Sequence, residues 1–180
     1  MGEADFYLML SISIALSSKD SYAAAMYGGA SPPIPPAAVI IIYAALVVVA
    51  MHAARLARGL ARNGWGPVGA MGFSKRLAAL LAGYPAKLGD YLSSDFDFLI
   101  TVPLETPSGI RYALKLSGRL DEERELRARV RDMTKRGLLA EDDVVWVSYG
   151  YPFILSLFMG LLLFMLFGAM PIAWMFHISA

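Results

Sequence analysis

Four residues near the start of the chain, Gly2-Glu3-Ala4-Asp5, place a carboxylate with small neighbours directly before the apolar run Phe6–Leu16. An ionisable side chain where a chain enters lipid is energetically costly, so this position is a candidate functional site. A carboxylate there can exchange a proton with water or a substrate, which is general acid–base chemistry. The alternative is that Asp5 is an ordinary helix N-cap, with Glu3 outside it, because the helix dipole stabilises negative charge at this end. Position alone leaves both interpretations open.

The rest of the chain offers few other groups for catalysis or metal binding. It contains no cysteine, which excludes disulfides, thiolate metal sites and a thiol nucleophile. The two histidines, His52 and His177, are far apart and flank apolar runs, so we expect interfacial side chains rather than ligands. Asp95 and Asp97 have ligand chemistry for a metal ion, but carboxylates at the start of a strand are more often solvated. We therefore predict no metal site and no cofactor.

The composition is that of a membrane protein, with the lipid bilayer as a predicted partner. The 180 residues are 57% hydrophobic and the mean hydropathy is +0.53, whereas apolar residues make up roughly 45–50% of a soluble domain. The charges are segregated, because all of the 16 Lys and Arg residues except Lys19 lie between Arg55 and Arg136. The first residues also lack the basic region of a signal peptide.

The segment Ala37–Leu56 predicts one transmembrane helix, since its roughly twenty residues carry no charge before Arg55. Three arginines lie near one face of the emerging helix: Arg55, Arg58 and Arg62. Basic residues next to a span mark its cytoplasmic end, so Asp5 is predicted to lie at the cytoplasmic end of the preceding segment. That segment, Phe6–Leu16, covers only about half of a ~30 Å hydrocarbon core. It is either a re-entrant segment or the end of a helix whose upstream part is missing.

Residues 58–148 predict a small cytoplasmic α+β domain. The predicted helices are Ser74–Ala82, capped by Ser74 and ended by Gly83, and Leu120–Arg136, ended by Gly137. The predicted strands are Phe96–Leu104, Ile110–Ser117 and Asp143–Tyr149, the first two joined as a hairpin. Acidic and basic residues interleave along Leu120–Arg136, which indicates a solvated face rather than a nucleic-acid surface. A second span, Pro152–Met175, follows, in which Gly160 and Gly168 favour close packing against a neighbouring helix.

The fold class predicted from this order is a membrane protein with an α-helical transmembrane bundle and a small cytoplasmic α+β insert domain. The predicted domains are residues 1–57, the membrane helices and outer loop; residues 58–148, the insert; and residues 149–180, the C-terminal transmembrane helix. The predicted location is the plasma membrane, with several spans and with residues 58–148 in the cytoplasm.

Five short stretches carry a resemblance to a known family: Gly2-Glu3-Ala4-Asp5, Gly83-Tyr84-Pro85, Gly109–Gly118, Val144–Ser148 and Pro152-Phe153-Ile154. In this order around the predicted spans, they resemble archaeal preflagellin peptidases, a branch of the prepilin peptidase family of membrane aspartic proteases. The first stretch resembles the Gly-x-small-Asp motif of the family. The resemblance covers essentially the whole chain.

The resemblance implies an aspartic endopeptidase that removes a short basic leader from preflagellin or a prepilin-like protein at the cytoplasmic membrane face. It implies that Asp5 is one of two catalytic carboxylates, and that Gly2 and Ala4 let the backbone or the substrate approach it closely. The family's other aspartate lies on an earlier membrane helix. We therefore expect this chain to be N-terminally truncated and inactive alone, with a missing N-terminal segment or a partner chain supplying the second aspartate. The family needs no metal ion.

The competing interpretation is a non-enzymatic, membrane-anchored interaction protein whose cytoplasmic insert docks a partner. Asp5 is then only a helix cap, and Arg55, Arg58 and Arg62 anchor the span to anionic lipid. Neither interpretation includes a nucleic-acid partner, because the basic residues of the insert are nearly matched by acidic ones.

Overall fold

The structure is a computed structural model that describes residues 36–107, 109–116, 120–150, 153–168 and 171. The α-helices within these residues are α1 (Pro36–Asn63), α2 (Phe73–Ala82), α3 (Leu88–Ser93), α4 (Leu120–Lys135) and α5 (Phe153–Phe167). A short 3₁₀ helix, Gly66–Ala70, lies between α1 and α2, and the strands are β1 (Tyr84–Lys87), β2 (Asp97–Leu99), β3 (Thr101–Thr106), β4 (Gly109–Leu114) and β5 (Val144–Tyr149). Residues 51–150 form one compact unit, and the described residues on either side of them belong to a second.

The unit of residues 51–150 is an α+β domain with two small antiparallel sheets. β5 is the central strand of a three-stranded sheet with the order β1-β5-β2, and its Val147 lies opposite Tyr84 on one side and Leu99 on the other. β3 and β4 form a hairpin in which Thr106 faces Gly109. Gly109 has a φ of +115°, a conformation that side chains rarely adopt, so glycine permits this tight connection. The α+β class predicted for the insert is confirmed.

The apolar face of α4 forms one side of the main core of this domain. Leu126, Val130 and Met133 recur at intervals of four and three residues, as on one face of a helix, and all three are buried. They pack in one cluster with residues of α3 and the sheet: Leu88, Tyr91, Leu99, Val145 and Val147. The position of α4 is therefore determined by the burial of this face.

Trp146 of β5 belongs to a second cluster, on the face of the sheet opposite to the main core. Its neighbours Val145 and Val147 lie in the main core, because alternate residues of a strand point to opposite faces. Trp146 is fully buried, and its indole Nε1 donates a hydrogen bond to the Trp65 carbonyl at 2.9 Å. The other buried members of the cluster are Val68, Ala79 and Ile100. Leu56 and Leu60 of α1 pack against the same cluster, so the end of α1 is part of the core of the domain.

α1 is the one helix among the described residues that is long and apolar enough to cross a membrane. It has 28 residues with a mean hydropathy of 2.5 in its most apolar window, and at 1.5 Å per residue it is roughly 42 Å long. The helix predicted over Ala37–Leu56 is confirmed and continues to Asn63. α5 is also apolar, but its described part ends at Phe167 and is shorter than the predicted span Pro152–Met175. A transmembrane bundle therefore stays a prediction.

Within the second unit, α1 and α5 approach each other at a glycine. A Cβ atom on Gly160 would lie 2.5 Å from the Ile40 carbonyl oxygen and 2.9 Å from the Ala44 nitrogen. Tyr43 adds a hydrogen bond, since its hydroxyl donates to the Gly168 carbonyl at 3.0 Å. The prediction that Gly160 permits close helix packing is confirmed.

The start of α2 differs from the predicted cap. α2 begins at Phe73, and its N-cap residue is Gly72, which supplies no side-chain hydrogen bond. Ser74 lies inside the first turn, so its prediction as the cap is wrong. The predicted stop is confirmed, because Gly83 follows the helix and its N–H donates to the Ala79 carbonyl.

The strand predicted over Phe96–Leu104 is in fact two strands separated at Ile100. The N–H of Ile100 donates to the Trp146 carbonyl at 2.8 Å, while its carbonyl accepts from the Lys115 N–H at 2.8 Å. The chain therefore changes pairing partner at this residue, so that β2 pairs with β5 and β3 pairs with β4. A continuous apolar pattern does not reveal such a change, because residues 99–103 are all buried and give no alternation that could break at Ile100.

Candidate functional site

The residues predicted to carry or support catalysis, Asp5, Gly2 and Ala4, lie outside the residues that the structure describes. Their roles stay predictions. The polar chemistry of the described residues is concentrated in the unit of residues 51–150. There, the end of α1 meets β1, and a buried carboxylate joins α4 to the sheet.

Arg55, near the end of α1, stacks on two tyrosines of the sheet. Its guanidinium carbon lies 3.6 Å from the centroid of the Tyr149 ring and 5.7 Å from that of the Tyr84 ring. Its Nη1 also donates to the Tyr84 hydroxyl at 3.2 Å, and this hydroxyl donates to Asp97 Oδ1 at 2.9 Å. Cation–π stacking and hydrogen bonding orient the guanidinium. Arg55 therefore holds α1 against the sheet.

Tyr84 keeps its proton at physiological pH. Burial disfavours the phenolate and the hydrogen bond to Asp97 disfavours it further, so the pKa of Tyr84 is raised to about 12. The guanidinium of Arg55 acts in the opposite direction and does not cancel these effects. The neutral Tyr84 hydroxyl therefore remains a hydrogen-bond donor to Asp97 at this pH. Asp97 and Asp95 are the two carboxylates that were considered as metal ligands from the sequence. In the part of the chain that the structure describes, no three His, Asp or Glu side chains are grouped to hold one.

The other two arginines line a cleft of about 320 Å³ between the end of α1 and β1, called here the basic cleft. The side chains of Arg58 and Arg62 are exposed, and neither forms a hydrogen bond or ion pair with any residue in the described ranges. Lys87 adds a further cation, and Asp90 is the carboxylate among the lining residues. With Arg55, the basic cleft is lined by four cations and one carboxylate, and Arg58 and Arg62 have no partner among the described residues, so the cleft suits an anionic group.

Two residues hold α1 directly against β1 beside the basic cleft. A Cβ atom on Gly59 would lie 2.5 Å from the Pro85 carbonyl oxygen, so glycine permits the approach. Asn63 Nδ2 donates to the same carbonyl at 3.1 Å. The three arginines were predicted to lie near one face of a helix, and all three line this cleft. No sequence pattern predicted β1, the other wall of the cleft. A four-residue strand with a central proline is too short to give a periodic signal.

A second cleft of about 790 Å³ lies between the 3₁₀ helix, β4 and the turn before β5. Its charged lining residues are Arg111, Asp142 and Asp143. The carboxylates have separate donors, since Lys87 Nζ lies 2.6 Å from Asp142 Oδ1 and the Ala140 N–H donates to Asp143 Oδ2 at 2.7 Å. The ion pair with Lys87 lowers the pKa of Asp142. Both carboxylates of this cleft are therefore already bound by donors of the domain.

A buried carboxylate, Glu123 of α4, was missed by the sequence analysis. It is 8% exposed, and its Oε1 accepts hydrogen bonds from the Tyr91 hydroxyl at 2.6 Å and the Leu99 N–H at 3.3 Å. Arg127 Nη2 lies 3.9 Å from the same oxygen. Burial, and then the hydrogen bond to Glu123, raise the pKa of Tyr91. Glu123 thus joins α4 to α3 and β2.

A signal for Glu123 was present in the sequence. Glu123 precedes Leu126 by three residues and Val130 by seven, the spacing of one helical face. It therefore shares the buried side of α4, although the interleaved charges of this helix predicted a solvated face. A charged residue in register with an apolar stripe predicts a buried polar partner, here the hydroxyl of Tyr91.

Comparison with known families gives a match over more than half of the chain. The family model described as Archaeal Peptidase A24 C-terminus Type II matches residues 75–170. The matched region begins inside α2, contains all five strands and includes α5. Comparison with curated proteins and with solved structures finds no match. The resemblance to archaeal prepilin and preflagellin peptidases is confirmed for this C-terminal part.

Proposed function

The chain belongs to the family Archaeal Peptidase A24 C-terminus Type II, and from this we propose that it is part of a membrane-embedded aspartic endopeptidase. The proposed reaction is removal of a short basic leader from preflagellin or a prepilin-like protein at the cytoplasmic membrane face. The family match over residues 75–170 carries the proposal. A second observation supports it: the family is membrane-associated, and α1 is long and apolar enough to span a bilayer.

Asp5 is the proposed catalytic residue of this chain, with Gly2 and Ala4 leaving space beside it for the substrate. The reaction needs a second carboxylate, which an upstream segment or a partner chain supplies in this proposal. Two carboxylates at close range cannot both ionise easily, so they titrate as a coupled pair that shares one proton. A coupled pair provides a base and an acid at the same pH, which a lone carboxylate does not.

In the proposed mechanism, the ionised carboxylate takes a proton from water as the water oxygen attacks the scissile carbonyl carbon. The protonated carboxylate donates a hydrogen bond to the carbonyl oxygen and stabilises the charge that develops there. The tetrahedral intermediate then breaks its C–N bond, and the amine leaves with a proton from the pair. A new carboxyl group remains on the leader, and the pair returns to its singly protonated state.

The proposed orientation places residues 58–148 in the cytoplasm, within a plasma-membrane protein of several spans. Arg55, Arg58 and Arg62 support it, since basic residues concentrate at the cytoplasmic end of a span. A basic leader is repelled by the unpaired cations of the basic cleft. The charge of the leader is therefore matched elsewhere, and the basic cleft is not the proposed leader site.

The test is cleavage of a preflagellin-like leader peptide by membranes that contain the protein. The chain alone is compared with a version extended upstream and with the extended version carrying Asp5→Asn. A Glu3→Gln variant is the matched control, because it removes a neighbouring carboxylate and leaves Asp5 unchanged. The expected result is activity of the extended version and of Glu3→Gln, with loss of activity in Asp5→Asn at unchanged protein level.

Activity of the extended version that is indifferent to Asp5→Asn would contradict the catalytic role of Asp5. An inactive extended version would favour the competing proposal, a non-enzymatic, membrane-anchored interaction protein. Capture of a specific partner by residues 58–148 then becomes the measurement to make. Cleavage by the chain alone would contradict the need for a second carboxylate from outside it.

A further inference from the structure

The amphipathic helix α2 exposes an apolar stripe that no described residue covers. Phe73, Leu77 and Leu81 follow one another at four-residue intervals, so their side chains share one face. Their exposed fractions are 82%, 47% and 76%. Single exposed apolar residues are ordinary, but a contiguous apolar patch marks an interaction surface.

The stripe belongs to a helix that is firmly fixed to the domain. Ala79 is fully buried on another face of α2 and packs in the Trp146 cluster. His52 Nε2 lies in hydrogen-bond distance of the Leu80 carbonyl, at 2.9 Å, and joins α2 to α1. After the helix, a Cβ atom on Gly83 would lie 2.2 Å from the Val147 carbonyl oxygen, which shows how closely the chain approaches β5. α2 therefore presents its stripe outward in a defined orientation.

The charge of the chain segment that contains α2 indicates which kind of surface covers the apolar stripe. Residues 21–89 contain six Lys or Arg and no Asp or Glu, whereas residues 90–143 contain nine basic and twelve acidic residues. Lys75 and Arg76 are exposed on α2 itself, which carries no acidic residue. A surface that combines apolar insertion with cations complements a bilayer that contains anionic phospholipids.

The position of α2 in the chain brings it to such a bilayer. α1, the membrane-length apolar helix, ends at Asn63, ten residues before α2 begins. Its last turns carry the exposed Arg58 and Arg62, the residue pattern of a juxtamembrane segment. Trp65, which is 42% exposed, lies in the same connection, and tryptophan is enriched at the membrane–water interface.

We propose that α2 lies in the plane of the membrane and inserts Phe73, Leu77 and Leu81 into an anionic phospholipid bilayer. The lipid-facing stripe sits roughly 5–10 Å into the boundary between headgroups and acyl chains. Lys75 and the arginines at the end of α1 contact the headgroup phosphates. Because α2 is fixed to the sheet, this contact orients the whole α+β domain on the membrane surface. The inference does not depend on peptidase activity.

The absence of cysteine from the chain makes a site-specific test direct, since a single introduced cysteine is the only thiol. The variants Phe73→Cys and Leu81→Cys each receive a nitroxide label. The full chain is then reconstituted into vesicles of phosphatidylcholine with a minor fraction of phosphatidylglycerol. Arg129→Cys, on the exposed face of α4, is the matched water-facing control. The measurement is the collision rate of each label with oxygen, which partitions into lipid, and with a water-soluble nickel chelate.

The expected oxygen-to-nickel accessibility ratio at positions 73 and 81 is several-fold higher than at position 129. A ratio equal to that at position 129 would show that the stripe faces water and would overturn the proposal. Labels that are immobile and shielded from both reagents would also overturn it, because a second copy or another segment of the chain then covers the stripe.

A separate comparison tests whether insertion of the stripe requires anionic lipid. In vesicles of phosphatidylcholine alone, the accessibility ratio at position 81 is expected to fall, and Lys75→Glu is expected to lower it in the mixed vesicles. Arg129→Glu is the charge-matched control and should leave the ratio unchanged. A ratio that depends on neither the headgroup charge nor Lys75 would refute the requirement for anionic lipid.

Discussion

Replacing Glu123 by alanine is predicted to destabilise the α+β domain strongly, although Glu123 belongs to a highly charged helix. The substitution leaves the Tyr91 hydroxyl, in a fully buried side chain, and the Leu99 N–H without their acceptor. Each buried donor without a partner costs about 1–3 kcal/mol. Arg127 keeps its hydrogen bonds to the Ser94 and Asp97 carbonyls, so its charge is not left without partners. The predicted loss is therefore about 3 kcal/mol, from the two donors alone.

Two further variants separate the hydrogen bonds from the charge and from the helix. Glu123→Gln keeps one acceptor oxygen and loses the charge, so the expected loss is about 1 kcal/mol. Glu125 is exposed on the same helix and forms no hydrogen bond or ion pair with a residue that the structure describes. Glu125→Ala is therefore expected to change stability by less than about 0.5 kcal/mol.

The measurement is native-state hydrogen exchange of the full chain in lipid nanodiscs, read at the amides of α4 and β5. A loss of about 3 kcal/mol in opening free energy corresponds to exchange roughly a hundredfold faster, at about 1.4 kcal/mol for each factor of ten. Glu123→Gln should lie between wild type and Glu123→Ala. If Glu123→Ala exchanges no faster than Glu125→Ala, the buried network does not stabilise the fold and the reasoning is wrong.

Two other predictions concern the sheet. Gly83→Ala places a Cβ atom 2.2 Å from the Val147 carbonyl oxygen, so it should destabilise the domain by about 1–3 kcal/mol in the same exchange assay. Gly89→Ala in α3 is the control, since its Cβ atom would meet no atom closer than 3.5 Å. The pKa of Tyr84 is raised from 10.0 to about 12, so the stability that it contributes is complete below pH 10 and is lost as the pH rises towards 12. The denaturant midpoint of Tyr84→Phe should therefore fall less over this range than that of wild type, and parallel curves would contradict the assigned pKa.

The elements that the sequence predicted well are those set by local patterns. The helix over Ala37–Leu56 follows from its continuous apolar composition, and Leu120–Arg136 from its helical periodicity and its glycine stop. Gly137 has a φ of +72°, the conformation that ends a helix, and this agrees with the predicted stop. Gly160 was predicted to be a close-packing position from its place in an apolar run, and Ile40 of α1 lies against it.

The candidate site was only partly predictable. The alignment of Arg55, Arg58 and Arg62 on one helix is a local property that the sequence contains. The contact of Arg55 with Tyr149 joins residues 94 positions apart, and no local pattern encodes it. The role of Asp5 rests on the resemblance and stays a prediction.

The sequence by itself determined the apolar helix, the segregated charge and the family to which the chain belongs, because composition, periodicity and short motifs are properties of neighbouring residues. Only the tertiary structure decided which charges are buried, which arginines are paired and which side of α2 remains open. Glu123 is buried and Glu125 exposed, although both are glutamates on α4. The physical reason is that burial and pairing depend on which distant residue supplies a donor or covers a face, and long-range packing makes that choice.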